Sequence, residues 1–142
     1  WGIGSDSHVS VSPVEELRWL EYGQRLVHHS RNISAPVGGG ATGARLYRDA
    51  LKGGAQALSR PIGTLEPGYR ADLLVLDPSH VNFVRPWEDN LLNYLIFNGN
   101  TNPIQHVMCG GKWVIRNGHH PEEEIIANNY KATVNRLREI AL

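Results

Sequence analysis

The sequence predicts an α/β fold with its helices ahead of a small β unit and one more helix closing the chain. Three observations carry this. Apolar residues recur at helical spacing from Pro13 to His29 and from Thr42 to Leu58. From Pro61 to Gly118 the pattern changes to turn signals and short apolar runs. Helical spacing returns between Pro121 and Ile140. With 142 residues the chain is long enough for one domain with a real core.

The first stretch, Gly2-Ile3-Gly4-Ser5-Asp6-Ser7-His8, organises the rest of the chain. Trp1 and Ile3 read as a short strand that ends at a polar cluster around one carboxylate. Ser12-Pro13-Val14-Glu15 then starts a helix. Ser12 can cap it, Pro13 suits the first helical position, and Glu15 can reach back to the cap's backbone N–H. Asp6 is thus expected at the C-terminal end of a strand, just before a helix. In an α/β barrel that end carries the chemistry. An acidic side chain there is a candidate metal ligand or proton acceptor. The plain alternative is a turn or capping residue.

The helix from Pro13 carries two apolar stripes: Val14, Leu17, Leu20 and Val27 on one, Trp19, Tyr22 and Leu26 on the other. A surface helix shows one stripe, so this helix is expected to lie wedged between a barrel and another layer. His28 and His29 point about 100° apart on a helix and do not easily share a metal. Ser30 to Gly40 reads as a mobile loop. Its Gly38-Gly39-Gly40 lacks the Gly-Lys-Ser/Thr ending and the preceding strand of a phosphate loop. In the helix from Thr42, the residues Leu46, Tyr47, Ala50, Leu51, Ala55 and Leu58 form a buried side. Gly53-Gly54 inside it costs about 1 kcal/mol per glycine relative to Ala. Close packing against a neighbour would explain the pair; a break in the helix is the alternative.

Glu66-Pro67-Gly68-Tyr69 is a type II turn signal. Ala71 to Asp77 reads as a buried strand closed by Asp77-Pro78. Asp72, within it, is expected to be structural. Ser79 to Glu88 reads as loop and Asp89 to Phe97 as a short helix. Ile104 to Cys109 and Lys112 to Arg116 flank Gly110-Gly111, a two-residue hairpin signal, and Asn117-Gly118 ends the hairpin. His106 is expected to be a partly buried structural residue, not a ligand. In the last helix, Pro121 and Glu122 to Glu124 suit the positive end. Ile126, Tyr130, Val134, Leu137 and Ala141 form its apolar face.

Bulk composition excludes several classes. With 14 basic and 14 acidic side chains the formal charge is zero, so neither nucleic acid nor an anionic membrane is an expected partner. No apolar run approaches the ~20 residues of a membrane span, and no signal peptide is visible. The one cysteine, Cys109, rules out an internal disulfide and fits a reducing, cytoplasmic location. Trp1 opens the chain inside an apparent strand, so further residues are expected ahead of it.

Gly4-Ser5-Asp6-Ser7-His8-Val9-Ser10-Val11-Ser12, with the run from Glu15 to Leu26, closely resembles the last barrel strand and helix of the formimidoylglutamate deiminase family, within the amidohydrolase superfamily. Gly63-Thr64-Leu65-Glu66-Pro67-Gly68-Tyr69-Arg70-Ala71-Asp72-Leu73 looks like the opening of the small β-sandwich of amidohydrolases, and marks the superfamily more than one activity. The resemblance covers essentially the whole chain but only the C-terminal part of such an enzyme. It implies that residues 1–59 are strand 8 and the following helices of a metal-dependent (β/α)8 barrel, 60–119 part of the sandwich, and 120–142 a C-terminal helix.

The resemblance also implies chemistry. Asp6 would bind a single zinc ion per active site and shuttle protons. Its carboxylate would take a proton from a zinc-activated water that attacks the formimino carbon of N-formimino-L-glutamate. Ammonia would leave, giving N-formyl-L-glutamate, a step of histidine degradation. Ser7 and His8, beside Asp6, are candidate substrate contacts or supports of that site, with loop capping as the alternative. Catalytic zinc needs about three protein ligands and an open position. The seven histidines here show no His-x-His and no helical pair at i, i+4, so the other ligands are expected ahead of Trp1. Implied partners are a small-molecule substrate, the N-terminal part of the same enzyme and a second copy in a homodimer. By itself the fragment is expected to be inactive. Two other readings compete: a piece of another amidohydrolase (a guanine- or adenosine-type deaminase or a chlorohydrolase), and a non-catalytic packing or dimerisation module.

Overall fold

The computed structural model describes residues 1–83 and 90–140. The chain divides into two compact units: Trp1–Arg70 with Asp77–Pro103, and Ala71–Leu76 with Ile104–Leu142. Among the described residues it is a mixed α/β structure of four α-helices and one three-stranded antiparallel sheet.

The first unit holds α1 (Pro13–His28), α2 (Thr42–Leu58) and α3 (Asn90–Phe97). α1 starts where its cap predicts: Ser12 is extended, and its Oγ accepts the Glu15 N–H at 3.3 Å. It stops at His29, which takes the left-handed conformation at φ 50°. Leu17 of α1, Leu46 of α2 and Ile96 of α3 meet in the core, with Tyr47, Ala50 and Phe97 packed around them. Arg18 ties α1 to the end of α3. It donates from Nε to Ile96 O, from Nη1 to Asn100 Oδ1 and from Nη2 to Gly99 O, each at 2.7 Å. The first of these satisfies a carbonyl that the end of a helix leaves without a partner.

α2 runs unbroken through Gly53-Gly54, so close packing and not a break explains the pair. A Cβ on Gly53 would lie 1.6 Å from the carbonyl oxygen of Trp1. Gly53→Ala is therefore expected to push the first residues off α2. The overpacking costs about 1–3 kcal/mol, more than the better helix propensity of Ala returns. An unchanged or raised melting temperature in the full-length protein would contradict this.

Three expectations for this unit are corrected. The strand ending at Asp6 is not formed: residues 1–5 join no ladder among the described residues. A strand exists through its neighbours' N–H and C=O groups, and this segment crosses a helix instead. The wedged position of α1 is not formed either. Leu17 and Glu21 are buried and Tyr22 stacks on Phe97 of α3, but Trp19 is 55% exposed, Leu26 73% and Val27 69%. Finally, Val81–Phe83 makes a turn of 3₁₀-helix where a loop was expected; residues 84–88 of that loop and 89, the first of the expected short helix, lie outside the described residues. The type II turn is present: Gly68 has φ 92° and the Tyr69 N–H donates to Glu66 O at 3.1 Å.

The second unit holds β1 (Leu73–Leu76), β2 (Ile104–Cys109) and β3 (Lys112–Ile115), hydrogen-bonded in that order. Gly110 and Gly111 have φ 58° and 80°, the two positive angles a type I′ hairpin needs. Asp72 is structural, as expected: its Oδ1 accepts the Gly110 N–H at 2.7 Å, while the Gly111 N–H reaches Ala71 O at 2.9 Å. His106 is structural too. Its Nδ1 accepts the Asn117 N–H at 3.1 Å and its ring meets Trp113 edge-on at 5.7 Å. β1 is not buried throughout, for Leu74 is 40% exposed on one face of this small sheet.

α4 (Glu123–Ile140) follows. It buries none of its residues and packs on no strand of its unit. Ile126, Tyr130 and Leu137 of the expected apolar face are exposed, so α4 closes nothing within the unit. Ala141 of that face lies outside the described residues. Among the described residues, no helix is long and apolar enough to cross a membrane.

Candidate functional site

Asp6 sits in a tight turn just ahead of α1. The His8 N–H donates to Ser5 O at 2.5 Å and closes the turn. Asp6 has φ 36°, in the left-handed region, where Asp and Asn are tolerated better than most side chains. Its side chain and that of Ser7 are exposed, whereas His8 is half-buried. The sequence thus brings its three candidate residues to one turn.

Side chains then fasten the turn to the helix. His8 Nδ1 pairs with Glu16 Oε1 at 2.8 Å. Ser10 Oγ donates to Glu15 Oε2. The reciprocal half of the capping box is therefore replaced: Glu15 lends its backbone N–H to Ser12, but its carboxylate serves Ser10. The Ser10 hydroxyl holds the Glu15 carboxyl below the usual carboxylate range.

Sequence reasoning missed Glu21. It is fully buried at 0% exposure. Its Oε1 accepts from Arg25 Nε at 2.7 Å and from the Ile33 N–H at 3.2 Å, and its Oε2 accepts from the Ser34 N–H at 2.9 Å. Burial pushes its carboxyl pKa up, but the bonds from Arg25 and Ser34 outweigh this and hold it below the ordinary value. Glu21 is the post on which the loop after α1 is hung. The only signal in the sequence was a Glu-x-x-x-Arg spacing, which marks ordinary exposed helix pairs as well.

A cleft of about 630 Å³ lies elsewhere in this unit. It is lined by Trp1, Ile3, Glu16, Trp19, Leu20 and Arg45 among others, and by none of Asp6, Ser7 and His8. Among the described residues, no three His, Cys, Asp or Glu side chains gather as a metal group. Asp6 presents one exposed carboxylate at the tip of a turn. Alone it cannot supply the ligand set that zinc requires.

The sequence profile of the Amidohydrolase family matches residues 1–114. The chain is 49% identical over 136 residues to a formimidoylglutamate deiminase of Pseudomonas aeruginosa, covering 96% of this chain and 30% of that protein. The crystal structure of an amidohydrolase from Brucella melitensis superposes with a TM-score of 0.84 at 34% identity, over 96% of this chain and 30% of that one. An atrazine chlorohydrolase from Arthrobacter aurescens, solved as a complex with zinc, superposes with a TM-score of 0.69 at 25% identity, over 90% of this chain and 28% of that one. The chain thus spans about 30% of the length of the curated relatives it matches.

Proposed function

The chain belongs to the amidohydrolase family, and we propose that it is the C-terminal portion of a zinc-dependent deiminase that hydrolyses N-formimino-L-glutamate to N-formyl-L-glutamate and ammonia, in histidine degradation. The observation that carries this is 49% identity to a formimidoylglutamate deiminase over 96% of the chain. On this reading residues 1–59 complete a (β/α)8 barrel, 60–119 belong to a small β-sandwich, and 120–142 form the C-terminal helix. The enzyme is read as a cytoplasmic homodimer.

Asp6 is the residue this chain contributes to the chemistry. Its carboxylate would be one of the groups that hold the metal, alongside histidines from the rest of such an enzyme. When bound, the metal supplies a water of lowered pKa. The carboxylate of Asp6 would be the acceptor for a proton of that water. The water's oxygen would add to the formimino carbon while its two protons pass, one of them by way of Asp6, to the formimino nitrogen, so that the C–N bond breaks and ammonia leaves. Ser7 and His8 stand next to Asp6 on the same turn, where a substrate would pass.

A second reading, another amidohydrolase reaction, is favoured by the likeness to the chlorohydrolase. A substrate panel separates the two, read as ammonia from N-formimino-L-glutamate, adenosine and guanine and as chloride from chloro-s-triazines. The full-length enzyme is expected to turn over N-formimino-L-glutamate in preference to the other three. Preference for any of the others would overturn the proposal. The 142-residue chain by itself is expected to release none and to bind zinc weakly, because one carboxylate is not a site. Its uncovered Trp19 and Leu26 face favours association. A monomeric, active chain in analytical ultracentrifugation and ammonia assays would refute this.

A further inference from the structure

We propose that Glu16 is a positioning residue for Asp6 and acts through His8. The inference rests on the reading of Asp6 as metal ligand and proton acceptor, and extends it to the residues that hold its turn in place.

The turn at Asp6 is exposed and left-handed, a conformation that persists only when its surroundings over-determine it. Two bonds from one residue do this. The His8 main chain closes the turn on Ser5 O at 2.5 Å. The His8 imidazole anchors the same turn to Glu16 Oε1 at 2.8 Å. Glu16 is well placed to be an anchor. It precedes Leu17, which is buried against Leu46 and Ile96, so its backbone is held by the core. A line of contacts therefore runs from the core through α1 to Glu16, on to His8, and to the peptide carrying Asp6. Ser10 on Glu15 and Ser12 on the Glu15 N–H fasten the following residues in the same way.

A carboxylate that binds a metal and moves a proton must be held within roughly 0.5 Å of its working position. Residues that orient such a ligand typically cost 10- to 100-fold in activity or metal affinity when removed. A mere helix-start contact would instead move stability and leave the chemistry alone. The two roles predict different measurements.

The experiment uses the full-length enzyme with zinc. Glu16→Ala is expected to lower kcat by about 10- to 100-fold with KM little changed, and to weaken zinc binding by a similar factor, measured against a competing chelator. Glu16→Gln keeps an oxygen within reach of His8 and should recover most of both losses. His8→Ala should reproduce the Glu16→Ala losses, and the double variant should lose no more than either single one. In an Asp6→Asn background, Glu16→Ala should weaken zinc binding no further. A lowered melting temperature with kcat and zinc affinity unchanged would overturn the proposal, as would additive losses in the double variant. If Asp6→Asn abolishes turnover while Glu16→Ala leaves it intact, only the positioning role fails. If Asp6→Asn leaves turnover and zinc affinity intact, the reading of Asp6 fails and this inference with it.

Discussion

Asp6→Asn in the full-length enzyme is expected to lower kcat by about 10²- to 10⁴-fold, the range a positioned general base supplies. The change is nearly isosteric, so the turn should survive: Asn tolerates the left-handed φ of 36° as well as Asp does. What changes is chemistry. An amide oxygen is a feeble base, and the proton of the attacking water has no acceptor at that position. The same substitution removes a negative charge from the metal site, so zinc binding should weaken as well. Metal content must therefore be measured beside turnover. Near-normal kcat with full zinc occupancy would refute the role of Asp6. Low kcat with restored occupancy at excess zinc would isolate the loss of the base.

Glu21→Ala is expected to destabilise the protein by about 3 kcal/mol, the lower end of the range for breaking a buried ion pair. The lower end applies because the partner Arg25 is 30% exposed and keeps some water. The loss has two parts. Arg25 loses the anion at 2.7 Å, and the N–H groups of Ile33 and Ser34 lose their acceptor. The loop after α1 then has nothing to hang from. The effect should depend on pH with a definite sign. The folded-state pKa of Glu21 is held below its unfolded value, so its contribution is in place above about pH 4.3, the unfolded Glu value. It drains away as pH falls through the folded pKa. Thermal melts of wild type and variant should therefore converge on acidification. A gap between them that stays constant down to about pH 3, more than a unit below the unfolded Glu value, would contradict the assignment.

Much of this was legible in the sequence because it is decided locally. The cap at Ser12-Pro13, the turn at Pro67-Gly68 and the hairpin at Gly110-Gly111 depend on the angles of a few adjacent residues, and the structure has all three. Helix positions followed from spacing, since α1 and α2 each display a long periodic pattern. Asp6 was legible as a candidate from its place before a capped helix, but its family meaning came from the resemblance of the whole run.

Tertiary structure decided what depends on partners far away in the chain. Gly53 is explained by Trp1, and Arg18 by the end of α3, and no local pattern announces either. The segment from Trp1 to Ser5 has the composition of a strand, yet a strand needs an extended neighbour and here it meets a helix. The two stripes of α1 were visible in the sequence, but burial depends on what lies opposite: Leu17 packs on Leu46 and Ile96 and Tyr22 on Phe97, while Leu26 and Val27 stay exposed. Glu21 shows the limit most sharply. Its sequence context is that of an exposed helix pair, and it became a buried anchor because the chain at Ile33 and Ser34 folds back onto it, bringing two backbone N–H groups to a carboxylate that would otherwise face water.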